Sequence, residues 1–374
     1  MGSDTKRRTM RAARMHQVGG PMQIDIVQRP QARANDVVVE VKACGMVPNL
    51  GNVLANWPKW CPHLPQPRLP AIFGLDPAGV VTEVGECVIG ISPGDRVYVN
   101  PARSCSTCYH CLSGHRTNCS YFTFNGYFGF QPQSQTLFDL YPQGGFCEFM
   151  AAPDYAIARL PDEVSFYEAA RLGYICTGYS ALRKCGPLTG QTLLINGISG
   201  TLGIGALLCA LGMGATRILG TGRNRKLLEE VKALAPERIE VFSTEDGSIA
   251  DWVKGRAGGK GADYMVDTLG AMASLETFSD ALHGVRRGGK IVNIGGTAGE
   301  VPIHTKWLMD EQMQIVGSVW FSTAEAYEVL DMARAGLLDL SVFEHEVAKL
   351  EDINQAISGV GNRHGGFSNY VIVP

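Results

Sequence analysis

Thr192-Leu193-Leu194-Ile195-Asn196-Gly197-Ile198-Ser199-Gly200-Thr201-Leu202-Gly203 passes from a short, mostly apolar run into a glycine-rich turn and on into the apolar stretch 204–211. The first five residues read as a strand, and the run after the turn is long enough for a helix. A strand that turns through glycines into a helix is what a bound dinucleotide requires. The turn must be tight, the backbone must approach the pyrophosphate, and the helix N-terminus must aim its free N–H groups at the phosphates. Gly197, Ser199, Gly200, Thr201, Leu202 and Gly203 are therefore candidate cofactor-binding residues. Glycines at such a turn also serve packing, so the assignment rests on what surrounds them.

Working outward, apolar runs at 192–196, 217–220, 262–267, 290–294 and 314–319 alternate with helix-like stretches at 202–211, 225–234, 248–256 and 274–285. That alternation predicts a doubly wound parallel sheet, so the fold class is α/β. The end of the second strand selects the nucleotide, because an acid there binds the ribose hydroxyls of NAD whereas a 2′-phosphate needs cations and no carboxylate. Here the residues are Thr221-Gly222-Arg223-Asn224-Arg225, with Gly222 where the acid is expected. Arg223 and Arg225 are suited to charge-assisted bonds to phosphate and Thr221 adds a hydroxyl, so the expected cofactor is NADP(H). As the alternative, the two arginines are surface charges of the following helix.

Before residue 190 the pattern is different. Short strand-like runs at 37–41, 79–84, 95–99 and 146–150 follow turn residues and predict an irregular β domain. A helical stretch at 324–335 and a strand-like end at 369–373 close the chain. At 374 residues the chain exceeds one ordinary core, and two are expected. Composition is 45% hydrophobic and 18% charged with a formal charge of -3, which points away from nucleic acid and anionic membranes as partners. With no apolar run of about 18 residues and no signal-like start, a cytoplasmic location is expected. The basic start, with Lys6, Arg7, Arg8, Arg11 and Arg14, reads as a solvated, partly disordered tail rather than a transit peptide.

Of the eleven cysteines, Cys105, Cys108, Cys111 and Cys119 fall within one short segment. Four thiolates at this spacing close a tetrahedral site and leave no open position for water, so one structural zinc per subunit is expected. His110 and His115 in the same segment are expected to be exposed. The remaining cysteines read as small buried apolar side chains.

Together with Gly79-Val80-Val81-Thr82-Glu83-Val84-Gly85, Gly94-Asp95-Arg96-Val97 and Gly144-Gly145-Phe146-Cys147-Glu148-Phe149, these motifs resemble the zinc-type alcohol dehydrogenases of the medium-chain dehydrogenase/reductase superfamily. The resemblance spans about residues 10–374. It implies a GroES-like irregular β-barrel domain of residues 1–168 and 322–374, with the zinc lobe at about 100–125, and an inserted Rossmann domain of residues 169–321. A substrate cleft between the domains and a homo-oligomer, dimer or tetramer, built through the Rossmann sheets are also implied.

The departure from the family is at the catalytic metal. Its three side-chain ligand positions fall, by this resemblance, on Val47, Leu75 and Gly173, none of which has a lone pair for zinc. Cys44, His63, Asp76 and Cys176 would rebuild such a site only through several coincident shifts. Without a Lewis acid, a carbonyl must be polarised by hydrogen-bond donors, or hydride must reach a conjugated carbon. The expected function is NADP(H)-dependent interconversion of a small carbonyl compound and its alcohol, with reduction of an α,β-unsaturated carbonyl as the alternative. A third reading is an NADPH-binding structural protein. Asn49 and Tyr174 are the candidates to face the substrate, Cys176 and Thr177 to lie near the nicotinamide, and Asp76 to orient a donor. The stretch 56–70, with Trp57, Trp60 and five prolines, reads as a rigid wall that favours an apolar or aromatic substrate.

Overall fold

In the computed structural model residues 8–374 are described, so Lys6 and Arg7 of the basic start lie outside them. Arg11 and Arg14 are not in a solvated tail. They belong to the strand Thr9–Met15, whose Met10, Ala12, Ala13 and Met15 are buried, and which pairs antiparallel with Met22–Gln28. Arg11 bonds Glu148 at 2.9 Å and Arg14 bonds Asp25 at 3.1 Å, so both charges are held against the sheet.

The N-terminal part builds a seven-stranded sheet around Asp36–Gly45, a strand so apolar that seven of its first nine residues are buried on one face or the other. The order is Ile157–Arg159, Arg96–Val99, Asp76–Val84, Asp36–Gly45, Ser368–Val373 and Glu344–Lys349, with Phe149–Pro153 also on Asp36–Gly45. Two of these strands come from the far end of the chain, so the first and last segments share one sheet. The run expected as a strand at 146–150 forms one only from Phe149, because Cys147 turns aside into an isolated bridge with Ala12.

Between them lies a six-stranded parallel sheet, ordered Ile239–Ser243, Arg217–Gly222, Thr192–Asn196, Ala262–Asp267, Val285–Asn293 and Gln314–Gly317. The strand order reverses at Thr192–Asn196, the topological switch point at which open α/β sheets bind ligands. Ile239–Ser243 was not anticipated from the sequence. Only its two end residues are buried, so it lacks the apolar run that reveals its neighbours.

Two helices matter for the site. Leu50–Trp60 covers the start of the stretch expected as a rigid wall, because Leu50, Val53 and Leu54 form a buried stripe. Trp57 stacks on Phe128 with ring centroids 3.9 Å apart, and its Nε1 donates to the Leu64 carbonyl at 3.1 Å, whereas Trp60 is exposed. Leu172–Cys185 lies directly on Thr201–Gly212. A Cβ on Gly178 would stand 2.6 Å from the Ala206 nitrogen, and one on Gly205 would stand 2.8 Å from the Tyr174 carbonyl oxygen. No described helix is long and apolar enough to cross a membrane.

Glycine at 178 is thus a packing requirement. Replacing Gly178 with valine should lower stability by about 1–3 kcal/mol or more, the usual range for overpacking. A thermal or urea melt indistinguishable from that of the parent would show that the two helices can part without cost.

Candidate active site and zinc lobe

Asn196, at the end of the central strand, is the pin of the glycine loop. Its Nδ2 donates to Asp267 Oδ1 at 2.8 Å, its Oδ1 accepts from the Thr221 hydroxyl at 2.6 Å, and its carbonyl accepts from the Thr268 hydroxyl at 2.8 Å. Neither Asp267 nor Thr268 was singled out by sequence. Burial pushes the Asp267 carboxyl up to about 6, against the opposing hydrogen bond from Asn196. Gly197 then turns the chain at φ +87°, a left-handed conformation that a side chain would strain. Gly200 caps Thr201–Gly212 with no side chain of its own, which leaves the first-turn N–H groups free for an anion. These features fit a dinucleotide pyrophosphate.

At the second strand end, a Cβ on Gly222 would stand 2.9 Å from Ser199 Oγ and 3.1 Å from Leu228. An acid at 222 would be crowded there. Arg223 is exposed and has no carboxylate partner among the described residues, while Arg225 is ion-paired with Asp246 and is not free as expected. Thr221 also departs from expectation: it is fully buried, and its hydroxyl serves Asn196 and the Gly197 N–H from beneath the loop. Sequence reasoning missed the C-terminal arm, which closes over the loop. The Gly366 N–H donates to the Ser199 carbonyl at 2.9 Å, and buried Arg171 donates to the Gly366 carbonyl at 2.7 Å. Arg171 Nε has no partner among the described protein atoms.

Val47, Leu75 and Gly173 are all buried, and Gly173 packs against the carboxyl of Asp76. A Cβ on Gly173 would lie 2.2 Å from Asp76 Oδ1, so Asp76 occupies the volume that any side chain at 173 would need. Tyr98 donates to Asp76 Oδ1 at 2.7 Å, and both residues are enclosed. Burial drives the Asp76 carboxyl up to about 7, although the Tyr98 hydrogen bond, the Arg171 cation and the Gly173 N–H all oppose the shift. Tyr98 was invisible in the sequence, since a strand with three successive buried residues gives no sign that one of them ends in a hydroxyl facing an acid.

Tyr174 is half-buried, its ring lies 5.1 Å from the Arg171 guanidinium, and its hydroxyl bonds to no other described residue. Burial, reinforced by the Asp76 charge, raises its pKa, so it stays protonated at neutral pH. Asn49 precedes Leu50–Trp60, makes no capping bond, and accepts from Asn52 at 2.9 Å. Cys176 is fully enclosed, with its thiol pushed well up by burial and then by Cys209 and Asp76, which makes it unreactive. Thr177 spends its hydroxyl on the Gly173 carbonyl at 2.7 Å. Neither offers a free group to the cleft.

In the lobe, the sulfurs of Cys105, Cys108, Cys111 and Cys119 lie within 4.8 Å of one another. Cys105 and Cys111 are 4.0 Å apart and Cys108 and Cys111 are 3.5 Å apart. A tetrahedron with bonds of about 2.3 Å sets its corners roughly 3.8 Å apart, so the four sulfurs are placed to close around one zinc ion. The backbone N–H groups of Cys105 and Tyr121 point at Cys119 Sγ, both at 3.4 Å, as a thiolate prefers. Among the described residues no other group of three or more potential ligands converges, so Cys44, His63, Asp76 and Cys176 do not form one.

A β domain closed by both chain ends, joined to a parallel sheet with a dinucleotide loop at its switch point, defines a two-domain dehydrogenase. Residues 33–162 match the model of the alcohol dehydrogenase GroES-like domain, and residues 201–335 match that of the zinc-binding dehydrogenases. An alcohol dehydrogenase of Geobacillus stearothermophilus is 32% identical over 351 residues, 92% of this chain and 94% of that one. The quinone oxidoreductase of Mus musculus is 27% identical over 347 residues, 90% and 88% of the two chains. The crystal structure of AibC superposes with a TM-score of 0.84 at 25% identity, covering 100% of this chain and 98% of the other. That of an NAD-dependent alcohol dehydrogenase gives 0.80 at 25% identity over 98% and 100%. The chain belongs to the zinc-type alcohol dehydrogenase family and is an oxidoreductase of the medium-chain dehydrogenase/reductase superfamily.

Two measurements follow from this geometry. Cys108→Ala should abolish bound zinc and lower the melting temperature, because metal affinity is part of the folding free energy of a closed site. Zinc retained at the parent level would place the metal elsewhere. For Asp76, a folded pKa near 7 lies above that of an unfolded carboxyl, so its contribution to stability is present in acid and lost as pH rises from about 4 to 7. Asp76→Asn should therefore flatten the pH dependence of the melting temperature across that window; an unchanged slope would mean that Asp76 ionises as an ordinary acid.

Proposed function

We propose that this protein is an NADP(H)-dependent oxidoreductase that interconverts a small carbonyl compound and its alcohol without a catalytic zinc. The carrying observation is the exchange at Gly173, where the space for a ligand side chain is filled by the carboxyl of Asp76. When bound, the nicotinamide supplies or accepts a hydride. The protein must then move one proton and polarise one oxygen. Tyr174 suits both roles, since its hydroxyl is free, it stays protonated, and it borders Asp76 and Arg171. Asn49 offers an amide N–H on the neighbouring helix cap. Asp76 acts through its field, held in place by Tyr98. The aromatic group of Trp57, Tyr127 and Phe128, in which Tyr127 neighbours Tyr174, favours an apolar or aromatic substrate.

NADP(H) is favoured over NAD(H) by the crowded Gly222 and by Arg223, which is exposed and has no carboxylate partner among the described residues. The first turn of Thr201–Gly212, with Gly200, Leu202 and Gly203, holds the pyrophosphate, and Arg171 braces the overlying arm through the Gly366 carbonyl. Reduction of a conjugated C=C bond is a second reading, supported by the likeness to quinone oxidoreductases. Product analysis with an enone separates the two, as the first yields an allylic alcohol and the second a saturated carbonyl. No turnover of aldehydes, ketones, enones or quinones, together with tight NADPH binding, would instead favour the structural reading. Self-association is expected along Gln314–Gly317, an edge strand that among the described residues pairs on one side only and is flanked by exposed Ile303, Met309 and Val319.

NADPH should bind more tightly than NADH, and Arg223→Ala should narrow the gap by about 1.5–3 kcal/mol, the range for hydrogen bonds to charged groups. Equal affinities in the parent protein would defeat the cofactor assignment. Tyr174→Phe should slow the hydride step by about 10²-fold or more, the usual contribution of a positioned proton donor, with NADPH affinity unchanged. Full activity in that variant would move the proton to another group.

A further inference from the structure

A crevice of about 430 Å³ opens between the zinc lobe, the C-terminal end of helix Leu172–Cys185 and the segment 319–325, and none of the residues discussed above for cofactor or catalysis lines it. Its charge is unbalanced. Arg103, Arg116, Arg183 and Lys184 line it against one acid, Glu325, whose carboxylate is already bonded by the Ser322 N–H and hydroxyl. Arg183 has its own partner in Glu328. Among the described residues the other three cations have no carboxylate within ion-pair distance. Arg116 donates to the hydroxyls of Ser104 and Ser106 at 3.0 and 2.9 Å and lies over the Tyr155 ring at 4.1 Å. Lys184 donates to Ser318 Oγ at 2.6 Å.

Arg103 is the sharpest anomaly. Its side chain is fully buried, it donates through Nη1 to the Asn100 carbonyl, and its Nε and Nη2 have no partner among the described residues. An enclosed cation with unmet donors is costly unless something compensates it. The Tyr141 ring, 5.5 Å away, and the more distant Asp36 carboxylate offset it only in part, since no carboxylate among the described residues pairs with it directly, and a low-dielectric wall of positive charge focuses its field into the adjoining space. Phe122 and Trp320 give the same crevice an apolar side.

We propose that this crevice is a binding site for a small organic anion, a phosphate monoester or carboxylate carrying an apolar group. Arg116 and Lys184 contact the anion from opposite walls, and Arg103 holds the potential from behind. Such a ligand spans the lobe, the helix that begins at the active site and the segment linking Gln314–Gly317 to Thr323–Arg334. Trp320 lies on that segment at φ +57°, with its Nε1 bonded to Asn100 at 2.8 Å, and so reports on occupancy through its fluorescence.

The test is calorimetric and fluorimetric titration of the full-length, zinc-loaded protein, saturated beforehand with its nicotinamide nucleotide. Phenyl phosphate, benzoate and neutral benzamide are compared at constant ionic strength. Saturable binding of one anion per subunit, with benzamide inert and a fluorescence change lost in Trp320→Phe, is expected; the stronger of phenyl phosphate and benzoate tells which anion class the site prefers. Arg116→Gln and Lys184→Gln should each weaken binding about tenfold or more, the effect of deleting one charged hydrogen bond. Lys184 lies outside the lobe, so its variant decides the matter if Arg116→Gln loses zinc. Absence of saturable binding by either anion at millimolar concentration, or binding unaltered in Lys184→Gln, overturns the proposal.

Discussion

Helix Leu172–Cys185 rests backbone to backbone on Thr201–Gly212, and this contact carries the rest of the molecule. Gly178 and Gly205 let the two helices approach to a distance that a single Cβ on either would prevent. One helix belongs to the nucleotide loop. The other begins with Arg171, Gly173 and Tyr174 at the site and ends with Arg183 and Lys184 at the charged crevice. Because the helices cannot slide apart without exposing their glycine contacts, the glycine loop, the Asp76 carboxyl and the crevice are held together by one packed pair.

The same economy of space governs the region around Asp76. Gly173 and Asp76 share one volume, so the chain can place a side chain at 173 or an acid at 76 in this arrangement, and it has the acid. Enclosure has two consequences. It raises the carboxyl toward neutrality, and it makes the Tyr98 hydroxyl the one direct side-chain bond to that carboxyl among the described residues. A buried acid raised toward neutrality can exchange a proton near neutral pH, and the proposed function draws on that property.

The cofactor end is organised from below and from above. Asn196, Thr221, Asp267 and Thr268 brace the loop from inside the sheet, and the C-terminal arm seals it through Gly366 and Ser199. Since Ser368–Val373 also pairs with Asp36–Gly45, one short segment ties the β domain to the nucleotide loop.

By itself the sequence determined what depends on local order along the chain. The strand–glycine–helix run at 192–211, the alternating pattern of the parallel sheet and the four close-spaced cysteines were legible because period, turn chemistry and ligand spacing are properties of neighbours in the chain. The identity of the residues at 47, 75 and 173 was equally plain. Only the tertiary structure decided what those residues face. Tyr98 meets Asp76 across two strands, Arg171 meets Gly366 across nearly two hundred residues, and Arg103 is buried with unmet donors, none of which leaves a trace in periodicity. It also withdrew Thr221, Arg225 and Cys176 from the roles their types suggested. Burial and hydrogen-bond partners, which set whether a polar group is free to act, come from segments brought together only when the sheet closes.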